Sequence, residues 1–238
     1  MIADRNGTKI QQLNGRYACL IKFLPGISVT IPTTSQAEAT GRALGTMHDA
    51  LRDFQAERPN SMNHDTWRKL VVDCGPNGLD AIAPGLDDLV ETELDYLDTQ
   101  WPDILPKSVI HADLFPDNVL MLDDHVTGLI DFYFSCTDIR AYDVAITHAA
   151  WCFSEDGAEF DAAISEALIK GYTETFELRT AERAALPVLA RGAALRFLLT
   201  RAYDWINTPA DALVTRKDPM AFFNRLTFYQ ANPDIFKA

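Results

Sequence analysis

Apolar residues recur every three or four positions along most of this chain. A few short, nearly continuous apolar runs interrupt this pattern. A recurrence of that period is typical of amphipathic helices. One such stripe consists of Leu44, Met47, Leu51 and Phe54. The pattern predicts further helices over residues 65–73, 86–97, 142–153, 159–176, 181–206 and 219–229.

Two helix starts carry local signals. Ser35 and Glu38 have the spacing of a capping box ahead of the first stripe. Asp218 followed by Pro219 predicts an N-cap and a first helical residue for the last helix. Glycine and proline residues mark the ends of the helices that lie between these two.

The short apolar runs predict two hairpins. Asn14-Gly15 separates two such runs near the start, which is a strong turn signal. Asp123-Asp124 separates VLML from the run that contains TGLI. A mostly helical chain with hairpins grouped at the front and in the middle predicts an α+β arrangement and not a series of βαβ units.

Composition narrows the classes of partner. The 238 residues carry a formal charge of −13, which argues against a nucleic-acid partner because phosphate backbones are bound by clustered Lys and Arg. The four cysteines are scattered, which favours reduced thiols over a disulfide framework. The start lacks the pattern of a signal peptide, and no apolar run is long enough for a membrane span. We therefore expect a cytoplasmic protein without a membrane partner; the sequence does not indicate its oligomeric state.

The middle segment, VIHADLFPDNVLMLDDHVTGLIDF (109–132), holds the candidate chemistry. A tight hairpin would bring residues before its first strand close to residues after its second, so Asp113, Asn118 and Asp131 could converge. An amide oxygen and a carboxylate suit Mg²⁺, which takes hard oxygen ligands together with substrate phosphates. Asp113 would then be available to orient a hydroxyl and accept its proton. Asp and Asn that merely stabilise turns are the simpler interpretation of the same residues.

The pattern H-x-D-x-x-x-x-N from His111 to Asn118, with a later apolar-Asp-Phe at Asp131, resembles the catalytic loop and metal-binding Asp of protein kinases. It resembles most the kinase-like small-molecule phosphotransferases, which include aminoglycoside, choline and homoserine kinases. The segments GLIDFYFSCTDIRAYDVAI, AWCF and residues 191–219 are similar to the homoserine kinases of the aminoglycoside-phosphotransferase-like type. The resemblance covers nearly the whole chain.

The resemblance implies a protein-kinase-like (aminoglycoside phosphotransferase-like) α+β fold. It implies phosphorylation of the hydroxyl of L-homoserine with ATP and Mg²⁺, a step of threonine biosynthesis. Asp113 resembles the catalytic base, and His111 the residue that positions the loop. Asn118 and Asp131 resemble the magnesium ligands, and Asp143 resembles the buried Asp that braces the loop backbone. An Asp in the first turn of a helix is the simpler interpretation of Asp143.

The resemblance also suggests nucleotide-binding positions. Phe23 and Leu24 fall where such folds place the hinge that borders adenine, and Leu120 matches the residue that packs under the base. Without the resemblance, all three would be interpreted as core residues.

Homoserine is a zwitterion, so its site needs a cation for the carboxylate and an anion for the ammonium. Arg suits two-point recognition of a carboxylate. Arg196 and Asp204 lie on one face of the predicted helix 181–206. Ion pairs within the helix explain the same spacing. The residues expected to line the substrate cleft are Arg196, Arg201, Asp204 and Tyr133, with Asp138 and Trp151 as further candidates.

The start of the chain departs from the family pattern. No Gly-rich loop precedes Phe23, and neither Lys9 nor Lys22 precedes a helix with a partner Glu. We therefore expect residues 1–25 to be a remnant of the N-terminal lobe and its hinge, and residues 26–238 to form the helical C-terminal lobe. This organisation predicts weak or absent activity of the chain alone and exposed apolar surface at the boundary.

Other functions remain open on the sequence alone. Choline or an aminoglycoside could replace homoserine, and choline would call for aromatic and acidic lining without a carboxylate-binding Arg. A non-catalytic kinase-like binding remnant would keep the fold without phosphoryl transfer. A metal-dependent hydrolase using His111, Asp113 and Asp131 is less favoured, because no other His lies at ligand spacing. His48 and His64 fall on predicted helices, where an ordinary core or surface His is the plainer interpretation.

Overall fold

Helices form the bulk of the molecule, as the apolar periodicity predicts. The computed structural model describes residues 1–102, 104–209, 212–213 and 215–237. The helices in this part of the chain are α1 (Thr34–Ala50), α2 (His64–Asp73), α3 (Leu86–Gln100), α4 (Arg140–Trp151), α5 (Ala162–Thr175), α6 (Thr180–Asn207) and α7 (Met220–Ala231). Residues 210, 211 and 214 of the segment 191–219 lie outside the described residues.

The short strands are β1 (Gln11–Leu13), β2 (Arg16–Ala18), β3 (Ile27–Ser28), β4 (Lys107–Ile110), β5 (Val119–Leu122), β6 (His125–Leu129) and β7 (Cys136–Ile139). They form three small antiparallel sheets, paired β1-β2, β3-β5-β6 and β4-β7. Two single-turn 3₁₀ helices, Pro116–Asn118 and Phe132–Phe134, flank the central hairpin β5-β6. Both predicted hairpins are confirmed, whereas β3 and β7 were not predicted.

Two predicted helix starts are displaced. The capping box of α1 is formed by Thr33 and Gln36, not by Ser35 and Glu38. Thr33 is extended and accepts the N–H of Gln36, so Ser35 already lies within the first helical turn. The N-cap of α7 is Pro219, one residue later than predicted, while the Asp218 carboxylate accepts the N–H of Met220 at 2.8 Å.

The core is built around α4, whose residues are all buried from Arg140 to Trp151. This helix packs against the long helix α6, and α1 packs along α5. Two ion pairs join α6 to its neighbours: the buried pair of Arg140 on α4 with Glu182 at 2.5 Å, and the partly buried pair of Glu93 on α3 with Arg191 at 2.6 Å. The predicted α+β class is confirmed, with α4 packed against both β4 and β7.

Residues 1–25 lie at the surface. Leu13, Tyr17 and Phe23 are 63%, 82% and 89% exposed, which is unusual for large apolar side chains. All four cysteines are free thiols, including the exposed Cys19 in this segment. Within the described residues, no helix combines the length and the hydropathy that a membrane crossing requires.

Candidate active site

The loop from His111 to Asn118 connects the buried end of β4 to β5. Its backbone is held by the Asp143 carboxylate, which accepts the N–H of His111 at 2.7 Å and the N–H of Ala112 at 2.8 Å. Asp143 is fully buried in the first turn of α4. Ala112 has φ +64°, a conformation disfavoured for a residue with a Cβ. The loop is therefore kept in a strained shape by contacts outside itself.

Asn118 closes the loop onto Asp113. Its amide Nδ2 donates to the Asp113 carbonyl at 2.7 Å and lies 3.4 Å from Asp113 Oδ2. Because the amide nitrogen is used in this way, the oxygen Oδ1 is the atom that Asn118 can offer to a ligand.

Asp131 lies at the opposite end of the hairpin from the Asp123-Asp124 turn. The Ile130 N–H donates to the Asn118 carbonyl at 3.0 Å, and His111 Nε2–H donates to the Ile130 carbonyl at 2.9 Å. Asp131 follows directly with an exposed side chain and φ +61°. The structure therefore brings together the loop and Asp131, as the hairpin argument predicts.

The surroundings of Asp113 change the basicity of its carboxylate. Burial raises the pKa of the Asp113 carboxyl to about 6, against the opposing charges of Arg196 and His111. The negative charges of Asp117 and Asp131 add smaller increases. At neutral pH the group is ionised and yet more basic than an ordinary carboxylate, which suits a proton acceptor.

Asn118 and Asp131 fit a hard divalent cation. One offers an amide oxygen and the other an exposed carboxylate, both oxygen ligands of the kind Mg²⁺ prefers. Among the described residues, no group of three or more His, Cys, Asp or Glu could hold a metal by itself. A cation here would therefore have to complete its coordination with substrate phosphate and water.

Arg196 lies beneath the loop. Its side chain is 1% exposed, and its Nη1 donates to the Ala112 carbonyl at 2.6 Å. Trp151, a further candidate for the substrate cleft, is 2% exposed and donates its Nε1–H to the Leu114 carbonyl at 2.9 Å. Both side chains support the loop backbone from the core. Contact of Arg196 with a substrate stays a prediction.

The other predicted substrate residues lie closer to the surface. The Arg201 guanidinium donates to the Asp218 carbonyl at 3.1 Å and lies 4.5 Å above the Phe222 ring. Burial lowers the pKa of Arg201, and the charges of Asp218, Asp117 and Asp113 partly oppose this. The candidate arginine is thus within electrostatic reach of the candidate base.

Asp204 and Tyr133 are exposed. Partial burial raises the pKa of Asp204. In the part of the chain that the structure describes, no ion pair joins Asp204 to Arg196 or Arg201. Tyr133 is 72% exposed, and its backbone carbonyl accepts from Arg58. Their contacts with a substrate stay predictions.

The predicted nucleotide-binding residues lie beside the central hairpin. The Leu24 side chain lies directly over Gly128 of β6. Leu120 of β5 pairs with Ser28, and its carbonyl accepts from the Thr127 hydroxyl. Phe23 precedes Leu24 and is exposed. The structure thus groups Leu24 and Leu120 near one surface of the hairpin, and their contact with adenine stays a prediction.

Sequence reasoning missed one residue beneath the site. His48, interpreted as an ordinary helical His, is fully buried, and its Nε2 lies 3.1 Å from Asp143 Oδ2. Its place among Leu44, Gly41 and Gly45 on the buried face of α1 marks it as a core residue in the sequence. Nothing in that pattern identifies a partner 95 residues away.

Comparisons with known proteins agree with this geometry. The sequence profile described as "Phosphotransferase enzyme family" matches residues 3–184. A homoserine kinase of Zymomonas mobilis subsp. mobilis is 54% identical over 227 residues, which cover 95% of this chain and 71% of that protein. A homoserine kinase of Xanthobacter autotrophicus is 48% identical over 230 residues, covering 97% of this chain and 71% of that protein.

Solved structures show the same fold at much lower identity. An amicoumacin kinase in complex with AMP-PNP, Ca²⁺ and Ami superposes with a TM-score of 0.64 at 17% identity, covering 98% of this chain and 70% of that one. An ethanolamine kinase of Plasmodium vivax gives a TM-score of 0.62 at 16% identity, covering 94% and 67%. The chain therefore belongs to the phosphotransferase enzyme family, in the group whose curated members are named homoserine kinase.

Proposed function

We propose that this chain is an ATP-dependent kinase that phosphorylates the hydroxyl of L-homoserine, giving O-phosphohomoserine and ADP for threonine biosynthesis. The identity of 54% with one homoserine kinase and 48% with another supports the substrate. The observation that carries the chemistry is the convergence of Asp113, Asn118 and Asp131 at one end of the hairpin. Choline and aminoglycosides are not favoured as substrates, since the relatives at about this identity are named homoserine kinase.

Asp113 orients the substrate hydroxyl and accepts its proton. The hydroxyl oxygen forms a bond to the γ-phosphorus while the bond from that phosphorus to the β–γ bridging oxygen breaks, releasing ADP. The pKa of about 6 keeps Asp113 ionised at neutral pH. His111 and Asp143 hold the loop that aims it.

Asn118 Oδ1 and the Asp131 carboxylate hold Mg²⁺ in this proposal. When bound, the cation neutralises phosphate charge. The test is calorimetric titration of Mg-ATP into Asp131→Ala, with Asp124→Ala in the exposed turn as the matched control. We expect about tenfold weaker binding for Asp131→Ala alone. Equal affinities for the two variants would remove Asp131 from the metal site.

Substrate recognition is assigned to residues in the C-terminal half of α6. Arg201 binds the homoserine carboxylate, Asp204 binds the ammonium group, and Tyr133 lines the same cleft in this proposal. Arg196 contributes positive charge from beneath the loop. Phe23, Leu24 and Leu120 border adenine. The support for these roles is position and charge.

We also propose a division of the chain. Residues 1–25 belong with the N-terminal lobe and hinge, and residues 26–238 form the helical catalytic lobe. The exposed hairpin β1-β2 and the buried helical core support this division. We place the reaction in the cytoplasm.

A substrate panel tests the proposed function. The protein is incubated with Mg-ATP and either L-homoserine, choline or an aminoglycoside, and products are identified by ³¹P NMR. In line with the weak activity predicted for the chain alone, we expect a weak new phosphomonoester signal with homoserine and none with the other two acceptors. Faster phosphorylation of choline or of the aminoglycoside would overturn the substrate assignment.

A further inference from the structure

His48 of α1 lies at the centre of a buried hydrogen-bond network. Its Nε2 is 3.1 Å from Asp143 Oδ2 and its Nδ1 is 2.9 Å from the Tyr172 hydroxyl. Hydrogen bonds from His48 and the loop amide overcome the effect of burial and hold the pKa of Asp143 below its usual value, so the carboxylate is ionised and accepts. Nε2 therefore donates. Burial raises the pKa of the Tyr172 hydroxyl, which keeps its proton available for Nδ1.

The packing of α1 against α5 fixes the geometry of this hydrogen-bond network. A Cβ on Gly41 would lie 2.1 Å from the Leu168 carbonyl oxygen, and one on Gly171 would lie 2.0 Å from the Glu38 carbonyl oxygen. The two helices are thus in backbone contact. This contact sets the separation of His48 on α1 from Tyr172 on α5 and leaves the imidazole one fixed direction.

On its other side, the hydrogen-bond network extends through Asp143 to the catalytic loop. Asp143 Oδ2 accepts both from His48 and from the His111 N–H, while Oδ1 accepts the Ala112 N–H. Ala112 holds the disfavoured φ of +64° and directly precedes Asp113. Any rotation of the Asp143 carboxylate would release both amides and let Asp113 change direction.

We infer that His48 is a positioning residue for phosphoryl transfer: it locks the Asp143 carboxylate and so holds the loop that aims Asp113. The inference rests on the proposed function for its catalytic consequence but not for its structural part. His48 acts through Asp143 and touches neither the hydroxyl nor the nucleotide.

The chain offers a matched control in His148. This residue is also fully buried, with Nδ1 2.7 Å from the Tyr229 hydroxyl and Nε2 2.8 Å from the Ser165 hydroxyl. Its partners are hydroxyls without a carboxylate, and its ring neighbours lie outside the loop. Replacing His148 removes a comparable buried imidazole without touching Asp143.

The experiment compares Gln and Leu at both histidines, because the Gln amide can still donate from near the position of Nε2. Amide exchange of His111 and Ala112 is measured by NMR relative to amides of α6, so that a global loss of stability cancels. We expect His48→Leu to speed exchange at both amides by at least about tenfold. We expect kcat for homoserine to fall by about 10- to 100-fold, with KM for ATP changed less than about twofold.

Rescue separates positioning from packing. His48→Gln should recover most of the protection and most of kcat, whereas His148→Leu and His148→Gln should leave both near wild type. Unchanged loop exchange in His48→Leu would overturn the inference. So would equal effects of Gln and Leu at His48, or an equal effect of His148→Leu.

Tyr172→Phe keeps the proposal testable if His48→Leu does not fold, since it removes only the hydroxyl bound to Nδ1. Its control is Tyr229→Phe. We expect faster relative exchange at His111 and Ala112 in Tyr172→Phe only, and equal exchange in the two variants would count against the inference. The measurement of amide exchange needs no substrate. The exchange result therefore decides the role of His48 whether or not the wild-type protein shows homoserine-dependent turnover.

Discussion

Burial of Asp113 makes its carboxylate more basic and lowers the stability of the folded protein. Burial raises its pKa to about 6, which makes it a better proton acceptor than an exposed carboxylate. The same burial disfavours its charged form in the folded protein relative to the unfolded chain, where the ordinary value is 3.8. Its contribution to stability is therefore fully present below pH 3.8 and is lost as pH rises through 6.

Asp113→Asn should therefore stabilise the fold at alkaline pH. The expected gain in the free energy of unfolding is on the order of 2 kcal/mol at about pH 8, shrinking towards zero near pH 4. The measurement is the difference in Tm between variant and wild type at the two pH values. A difference that does not depend on pH would contradict the raised pKa.

Arg201→Ala tests the proposed carboxylate contact. We expect KM for homoserine to rise by about tenfold or more, with KM for ATP nearly unchanged, because a two-point contact with the carboxylate is lost. Arg52→Ala is the control, since Arg52 also lies over a phenylalanine ring, 5.0 Å from that of Phe176, but belongs to the segment after α1. An unchanged KM for homoserine in Arg201→Ala would remove Arg201 from the site.

At the residue scale, the sequence predicts contacts that local geometry determines. The convergence of Asp113, Asn118 and Asp131 follows from a tight hairpin and was predictable. The supporting contacts of His48 and Arg196 were not, because they join residues 95 and 84 positions apart. Which residues these two side chains contact depends on how the helices pack, and the apolar stripe along a helix does not determine that packing.

At the element scale, the long helices were predicted because apolar periodicity and local punctuation agree along them. The start of α1 moved to Thr33 because its T-x-x-Q spacing forms the same reciprocal bonds as S-x-x-E. The strands β3 and β7 were missed. Two residues of β3 and four of β7 are too short to show alternation, and both form through pairing with β5 and β4, respectively.

Gly171→Ala tests the backbone contact between α1 and α5. The added Cβ would lie 2.0 Å from the Glu38 carbonyl oxygen, so the helices must separate. We expect a loss of about 2 kcal/mol or more in the free energy of unfolding and a Tm lower by roughly 5 °C. Thr173→Ala, an exposed substitution on the same helix, should change Tm little. Equal Tm values for the two variants would contradict the close packing.

At the scale of the whole molecule, the two proposed parts of the chain differ in burial. No side chain from Met1 to Phe23 is buried, whereas α4 is buried throughout. The chain spans 71% of the length of the homoserine kinases compared above. The large apolar side chains on the hairpin make this surface prone to association.

Limited trypsin digestion tests this division. Cleavage should occur first at Arg5, Lys9, Arg16 or Lys22, all of which are exposed. The remaining fragment should keep a Tm within about 2 °C of the intact chain, because the removed residues bury little. First cleavage within α4–α6, or unfolding once the hairpin is removed, would contradict the proposed boundary near residue 25.

The central claim is that Asp113 activates the hydroxyl of homoserine for attack on ATP. Its most direct test is the initial rate of homoserine-dependent ADP release by the wild-type protein and by Asp113→Asn, with Mg-ATP binding measured in parallel. The account predicts release in the wild type that falls by about 10²- to 10⁴-fold in Asp113→Asn, while Mg-ATP binding persists. Release that does not depend on homoserine, or that survives Asp113→Asn, would contradict it.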